Sequence, residues 1–468
     1  MSELWQLTAT ELAARIARKK VSSTEVVEAH LRRIESVNPR VNAVVKVLGD
    51  EARRDAAEAD RKVAAGAHLG PLHGVPFTIK ENIDAAGCAT TWGVPALASA
   101  VVPVDAPVVE RMRSAGAIAI GRTNLPDMAM RVHTDSSLHG LTRNPWNPGR
   151  TAGGSSGGEA VALATGMTPL GLGNDIGGSL RNPANACGIA SIRPSAGRVP
   201  HAGLIPSEDD LMAAQLMNVQ GPMARRVGDV RLALSILAGA HPRDPWSLDA
   251  PLAYPRGSAA IRVAMLAEPP GGETDPKIAA VVRNASAVLR AAGYEVVEIA
   301  PPRYEDAITT WTQLLAGDFA SMLDQMLPIM GKNAVAFYTA AASVVPPLDA
   351  AAMSRVYATR QGVAREWSQF MAQYPLVLSP TWSQLPFEVG FDVASPDASR
   401  LTLGMIRPVV PANLLGLPSA CVPAGRDDAT GLPIGVLLTG RRLRDDQCLD
   451  AAEVIEAHLG LKTPIDPV

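Results

Sequence analysis

Four cysteines in 468 residues, Cys88, Cys187, Cys421 and Cys448, are too few and too scattered for a disulfide framework. No C-x-x-C pair and no cysteine–histidine cluster occurs, so no metal site is indicated. The thiols read as buried and free in a reducing compartment, the cytoplasm. The opening Met1-Ser2-Glu3-Leu4-Trp5 has neither the basic nor the apolar segment of a secretory signal. One long uncharged run, residues 85–104, is broken by Gly87, Gly93, Pro95 and Pro103, and reads as loop rather than membrane span. Basic charge is not in excess either. The 43 Lys and Arg face 46 Asp and Glu, a net charge of −3, which argues against nucleic acid or an anionic membrane as partner. Internal repeats and low-complexity tracts are missing. Lysine is scarce: eight of the 43 basic residues, of which Lys80 ends the apolar run Val75-Pro76-Phe77-Thr78-Ile79.

What is present is a large apolar fraction, 47%, enough to bury a sizeable core in this length of chain. Thr8-Ala9-Thr10-Glu11 and Ser22-Ser23-Thr24-Glu25 are capping boxes, each followed by apolar residues at helical spacing. Asn38-Pro39 is expected to stop the second helix, with a strand over 41–47 and a helix over 51–65. A strand leads into Lys80, a helix covers 106–114, and short apolar strands follow at 117–120 and 189–192. Farther on, strands are expected at 261–266, 294–299, 376–379, 419–422 and 434–439. Helices are expected at 276–292, 353–374 and 445–459. Residues 305–330 read as mostly helical, ending near Leu327 because Pro328 follows. This rhythm predicts an α/β fold, a large mixed twisted β-sheet flanked by helices, with chemistry at loops beyond strand ends.

Two glycine-rich serine turns stand out: Gly153-Gly154-Ser155-Ser156-Gly157-Gly158 and Asn174-Asp175-Ile176-Gly177-Gly178-Ser179. Glycine lets the backbone bend and approach other groups closely. Each turn sets a hydroxyl beside freely placed amides, as nucleophilic acyl chemistry requires. The first precedes Glu159-Ala160-Val161-Ala162-Leu163-Ala164, a good helix start. In the second, the amides of Ile176, Gly177, Gly178 and Ser179 could line a cup for an oxyanion. The residues alone leave two nucleophiles open. Gly153-Gly154-Ser155-Ser156-Gly157 also fits the G-x-S-x-G elbow, which would make Ser155 the attacker with His201, His241 or His458 as its base. No S-x-x-K occurs, which argues against the penicillin-binding-protein arrangement.

Together with His73-Gly74-Val75-Pro76-Phe77-Thr78-Ile79-Lys80-Glu81-Asn82, the two turns resemble the amidase signature family of serine hydrolases, in order and in spacing. The resemblance runs from about residue 70 to 226 and returns at 413–440. It implies a triad of Lys80, Ser155 and Ser179, with Ser179 as nucleophile, Ser155 as the bridge that passes its proton to Lys80, and a cis Gly154–Ser155 bond. A lysine base must be neutral, which burial supplies. By motif position Ala129 is implied to contact substrate through its carbonyl. Ser156, Asp175 and Arg181 read as support, and His133 and His139 are left without a role. Two positions depart from the family pattern: Asn174 stands where serine or threonine is usual, and Ser191-Ile192-Arg193-Pro194-Ser195 replaces G-L-K-P-T. Both are expected to bear on substrate preference more than on mechanism.

The organisation implied is one amidase domain. Residues 1–69 form an N-terminal helical part, 70–237 the signature core, 240–405 a less regular insertion shaping the substrate pocket, and 406–468 a return to the sheet, with 238–257 as a boundary. The function implied is hydrolysis of a small-molecule carboxylic amide to acid plus ammonia or amine, without metal or organic cofactor. Two alternatives stand beside it: the glutamine-hydrolysing component of a tRNA-dependent amidotransferase, and a catalytically idle binding module. The segment from Trp311 to Met330, dense in large apolar side chains, is expected to influence substrate choice or to be plain core. A homo-oligomer is neither indicated nor opposed.

Overall fold

The segment Leu170-Gly171-Leu172-Gly173-Asn174-Asp175 shows how the sheet accepts its helices. Its two leucines are buried in the core on one face, while its glycines leave the other face bare. The helix Gly157–Ala164 lies on that bare face. A Cβ added at Gly171 would sit 2.0 Å from Glu159 Oε1, and one at Gly173 would sit 2.8 Å from Ser156 Oγ. Close approach thus requires glycine at both positions.

The computed structural model describes residues 3–255, 260–345 and 347–468. In chain order the strands are β1 (Val44–Val47), β2 (Pro76–Lys80), β3 (Ile118–Thr123), β4 (Asp135–Ser136), β5 (Gly140–Leu141), β6 (Leu170–Asp175) and β7 (Ala190–Arg193). They continue as β8 (Val219–Ala224), β9 (Arg262–Met265), β10 (Glu295–Glu298), β11 (Leu376–Pro380), β12 (Ser419–Arg426) and β13 (Pro433–Gly440). Eleven of them form one sheet in the order β1-β3-β2-β6-β8-β7-β12-β13-β11-β9-β10, and β4 and β5 form a separate ribbon. The large sheet is mixed. β2 runs parallel to both β3 and β6, whereas β8, β7, β12 and β13 are antiparallel neighbours. Because β2 and β6 are parallel, Lys80 and Asp175 emerge at the same edge.

Helices cover both faces. One layer includes Ala9–Ala17, Pro107–Ser114, Val227–Leu237, Pro276–Ala291 and Asp445–Leu459, whose buried residues join Phe77, Ile79, Leu170 and Leu172 in one core. The opposite layer includes Ser23–Val41, Gly157–Ala164, Tyr304–Ala320 and Ala350–Gln373. Residues 240–405 carry three strands of the same sheet, β9, β10 and β11. Of the boundary read at 238–257, residues 256 and 257 lie outside the described residues.

Both capping boxes are formed: Thr8 Oγ1 accepts from the Glu11 amide at 3.1 Å and Ser22 Oγ from the Glu25 amide at 3.0 Å. Three local expectations need correcting. Pro39 does not end its helix, which continues to Val41 because the Asn42 amide still reaches Asn38 O at 2.7 Å. The strand expected at 41–47 therefore begins at Val44. The helix expected to reach Leu327 breaks at Ala320, resumes over Leu323–Met326, and gives way to a 3-10 turn at Leu327–Ile329.

Candidate active site

Lys80 is the last residue of β2 and is fully buried. Its Nζ donates to Ser155 Oγ at 2.7 Å and to Asn174 Oδ1 at 2.7 Å, and Asn174 Nδ2 donates in turn to Asn82 Oδ1 at 2.9 Å. Among the described residues no carboxylate bonds the Lys80 nitrogen. Burial disfavours its charged form and pushes the Lys80 pKa down to about 7, a fall that the more distant charges of Asp175 and Glu159 partly oppose. Asn174, expected to bear on substrate preference more than on mechanism, is a direct partner of the lysine and so bears on mechanism as well. The sequence does not reveal this neighbour, because β2 and β6 adjoin only in the sheet.

The two serine turns meet. The Ser156 amide donates to Ser179 O at 3.3 Å. The peptide bond between Gly154 and Ser155 is cis, and Gly154 is packed so tightly that an added Cβ would lie 2.7 Å from Arg131 O. Ser156, read as support, has its Oγ buried with no partner among the described residues, turned toward the bare Gly173. Ser155 Oγ has lysine, not histidine, as its partner. His133 bonds Thr151 Oγ1 at 2.8 Å and burial lowers its pKa to about 4; His139 bonds Glu81 at 2.7 Å.

Asp175 organises the second turn. Its carboxylate accepts from the amides of Gly178 (2.7 Å) and Leu180 (3.2 Å), from Arg181 Nε (2.9 Å) and Nη2 (3.0 Å), and from Asn413 Nδ2 (2.7 Å). Although burial opposes it, this company of Arg181, Arg193 and Asn413 holds the Asp175 carboxyl well below the usual carboxylate range. The Gly178 amide is therefore not available to an oxyanion, which corrects the four-amide cup. The amides of Ile176, Gly177 and Ser179 have no acceptor among the described residues. Trp311 braces this turn: its Nε1 donates to Ile176 O at 2.9 Å, and a Cβ at Gly177 would meet its ring at 2.7 Å. Asn182 Nδ2 bonds Gly177 O at 3.1 Å and is itself held by Trp382 Nε1.

The amidase family profile matches residues 25–449. The chain belongs to the amidase family. It is 42% identical over 460 residues to an indoleacetamide hydrolase from Bradyrhizobium diazoefficiens, covering 98% of this chain and 87% of that one. It is 34% identical over 467 residues to a glutamyl-tRNA(Gln) amidotransferase subunit from Synechococcus sp. strain CC9605, covering 93% of each. The solved structure of 6-aminohexanoate cyclic dimer hydrolase superposes with a TM-score of 0.87 at 28% identity over 99% of both chains. The chain is an enzyme, an amide hydrolase.

Two chambers open from Ser179 in this amidase, and Ala129 and Ile176 line both. The narrow one, about 130 Å³, is walled by Trp311, Leu315, Phe319, Phe337, Tyr338 and Ile406. Its charged residue, Arg131, is bound to Asp392 at 2.9 Å. The wide one, about 580 Å³, holds Ser155, Asn82 and Asn174 near Ser179 and extends past Met322 and Met326 to a polar mouth. Met326 and Met330 also pack with Val94 and Met128 in a small core, so the Trp311–Met330 segment serves both as wall and as packing. Met128 and Ala129 both adopt left-handed backbone, φ 51° and 58°. Asn413 escaped sequence reasoning as a partner of Asp175, since it is 238 positions away; the only signal was that the resemblance resumes at that residue. Among the described residues no group of three or more His, Cys, Asp or Glu side chains could hold a metal ion. No helix among them is long and apolar enough to cross a membrane.

Proposed function

We propose that this amidase cleaves amides with a compact apolar, aromatic acyl group through an acyl-Ser179 intermediate. The observation that carries the reading is the buried Lys80, at 2.7 Å from Ser155 Oγ and with no carboxylate on its nitrogen among the described residues. Neutral Lys80 withdraws a proton from Ser155, which takes the Ser179 proton as that oxygen attacks the amide carbon. Charge developing on the carbonyl oxygen falls to the amides of Ile176, Gly177 and Ser179. By analogy with measured oxyanion holes one such donor is worth about 2.7–4 kcal/mol. As the C–N bond breaks, the proton returns through Ser155 to the departing nitrogen; water then hydrolyses the ester by the same path. The Ala129 carbonyl, in its left-handed turn at the junction of the chambers, accepts an N–H of the substrate.

The acyl group belongs in the narrow chamber, whose aromatic and aliphatic walls suit an aryl group and offer little to a charged one. The same walls disfavour glutamine, with its ammonium and carboxylate, as the acyl half. The relative named indoleacetamide hydrolase agrees in acyl character. A cytoplasmic setting accords with four free, buried cysteines. The test is a panel of arylacetamides, aliphatic amides and glutamine, assayed with wild type and Ser179→Ala. Arylacetamides are expected to lead, and Ser179→Ala to lose at least about 10⁴-fold with no acyl adduct by mass spectrometry. An active Ser179→Ala with a dead Ser155→Ala would make Ser155 the nucleophile.

A further inference from the structure

The proton path orients an amide between two unlike chambers. Ser155 lines the wide chamber and not the narrow one, while Gly177 and Gly154 line the narrow one and not the wide. A nitrogen that leaves with the proton carried by Ser155 therefore leaves on the wide side. Ammonia needs about the 30 Å³ of one liquid water; the wide chamber measures about 580 Å³. Its size suits a larger amine.

Two features of its mouth describe that amine, and Gln220, on β8 directly opposite Asn174 on β6, adds a polar amide to the chamber wall behind them. At the mouth the carboxylates of Glu208 and Asp209 have no partner among the described residues, whereas the cation beside them, Arg243, is turned to Asp105 O at 2.5 Å. Trp246 lies at the same mouth, 66% exposed, with its Nε1 tied to Gln215 Oε1 at 3.2 Å, so that its indole is held out for a cation to rest on.

We infer that the wide chamber is a binding site for the amine half of an N-substituted amide, and that it selects amines bearing a second, positively charged group. The inference rests on the proton path through Ser155 proposed above. No step is added to the reaction. The C–N bond still breaks as Ser155 returns its proton, the acyl group stays on Ser179, and a diamine leaves in place of ammonia.

The test holds one acyl group, phenylacetyl, constant and compares the primary amide, the N-butyl amide and the N-(4-aminobutyl) amide. At low ionic strength kcat/KM for the aminobutyl amide is expected to exceed that for the butyl amide by about three- to tenfold, the range open to two exposed carboxylates. The ratio should fall toward one in high salt and in the Glu208→Gln/Asp209→Asn double variant. A wild-type ratio of one, a ratio unchanged in the double variant, or turnover of the primary amide alone would overturn the chamber's assignment while leaving the acyl-Ser179 reading in place. Failure of all three amides would overturn both.

Discussion

Two buried cations, Lys80 at the end of β2 and Arg181 six residues beyond the end of the neighbouring β6, are treated in opposite ways. Arg181 is given everything: both oxygens of Asp175, the Val409 carbonyl at 2.8 Å and Asn413 Oδ1 at 2.6 Å. Lys80 is given only the neutral oxygens of Ser155 and Asn174. An unpaired buried charge is expensive, and the two side chains differ in how they can avoid it. A lysine escapes by releasing its proton; an arginine cannot. Of these two, the cation that must stay charged has a carboxylate on it, and the one that can become neutral has none among the described residues. Glu159, the other acid near Lys80, is held by the hydroxyls of Thr78 and Thr123, and burial raises its pKa to about 7, so it supplies at most a partial charge. The paired cation is scaffold and the unpaired one is chemistry.

Removing the unpaired cation should have the largest effect and separate activity from stability. Lys80→Met is expected to lower kcat/KM by about 10²–10⁴-fold, the range of general-base catalysis, and to abolish its rise through pH 7. Lys80→Arg should not restore activity, since a guanidinium keeps its proton. Stability should move the other way. The folded value of Lys80, about 7, lies below its ordinary 10.5, so between them the unfolded chain holds a proton that the folded chain has lost. Its contribution therefore makes stability rise with pH across that window. Lys80→Met lacks this slope and should melt higher than wild type at neutral pH, measured by calorimetry across the range.

Taking the carboxylate from the paired cation is the converse. Asp175→Asn leaves Arg181 buried without its counter-charge and is expected to cost about 3–5 kcal/mol in denaturant unfolding. Giving Lys80 what Arg181 has is subtler. Asn174→Asp places a carboxylate on the lysine nitrogen and should raise its pKa, moving the acid limb of kcat/KM up by about 1–3 pH units while the activity plateau at high pH survives. The smallest effect belongs to Ser156→Ala. Its hydroxyl is buried and has no partner among the described residues, so its loss removes an unsatisfied group and should raise stability by about 1 kcal/mol while leaving turnover unchanged.

The sequence made the serine turns and Lys80 legible because their function demands unusual residue types: paired glycines around a hydroxyl, and a lysine at the end of an apolar strand. It also displayed the capping boxes, whose hydrogen bonds span three residues. What it hid lies across the sheet. β6 and β8, Leu170–Asp175 and Val219–Ala224, pair over their whole length in the centre of the sheet, yet neither is expected as a strand, since their glycines and Pro222 are poor strand formers. Those glycines answer to a helix packed on them, which local propensity does not register. The bonds from Lys80 to Asn174 and from Asp175 to Asn413 join positions far apart in the chain, so residue type suggested a charged or polar role without naming the partner.

The scarcity of lysine makes the central claim directly measurable. With lysine ¹³C-labelled at Cε, the chain's eight lysines yield eight signals to follow against pH, and Lys80→Met assigns one of them. That signal is expected to titrate near 7, apart from the others, and to move upward in Asn174→Asp. A Lys80 signal that titrates among the other lysines would contradict the mechanism, because the buried nitrogen would then be charged at the pH where it must act as a base.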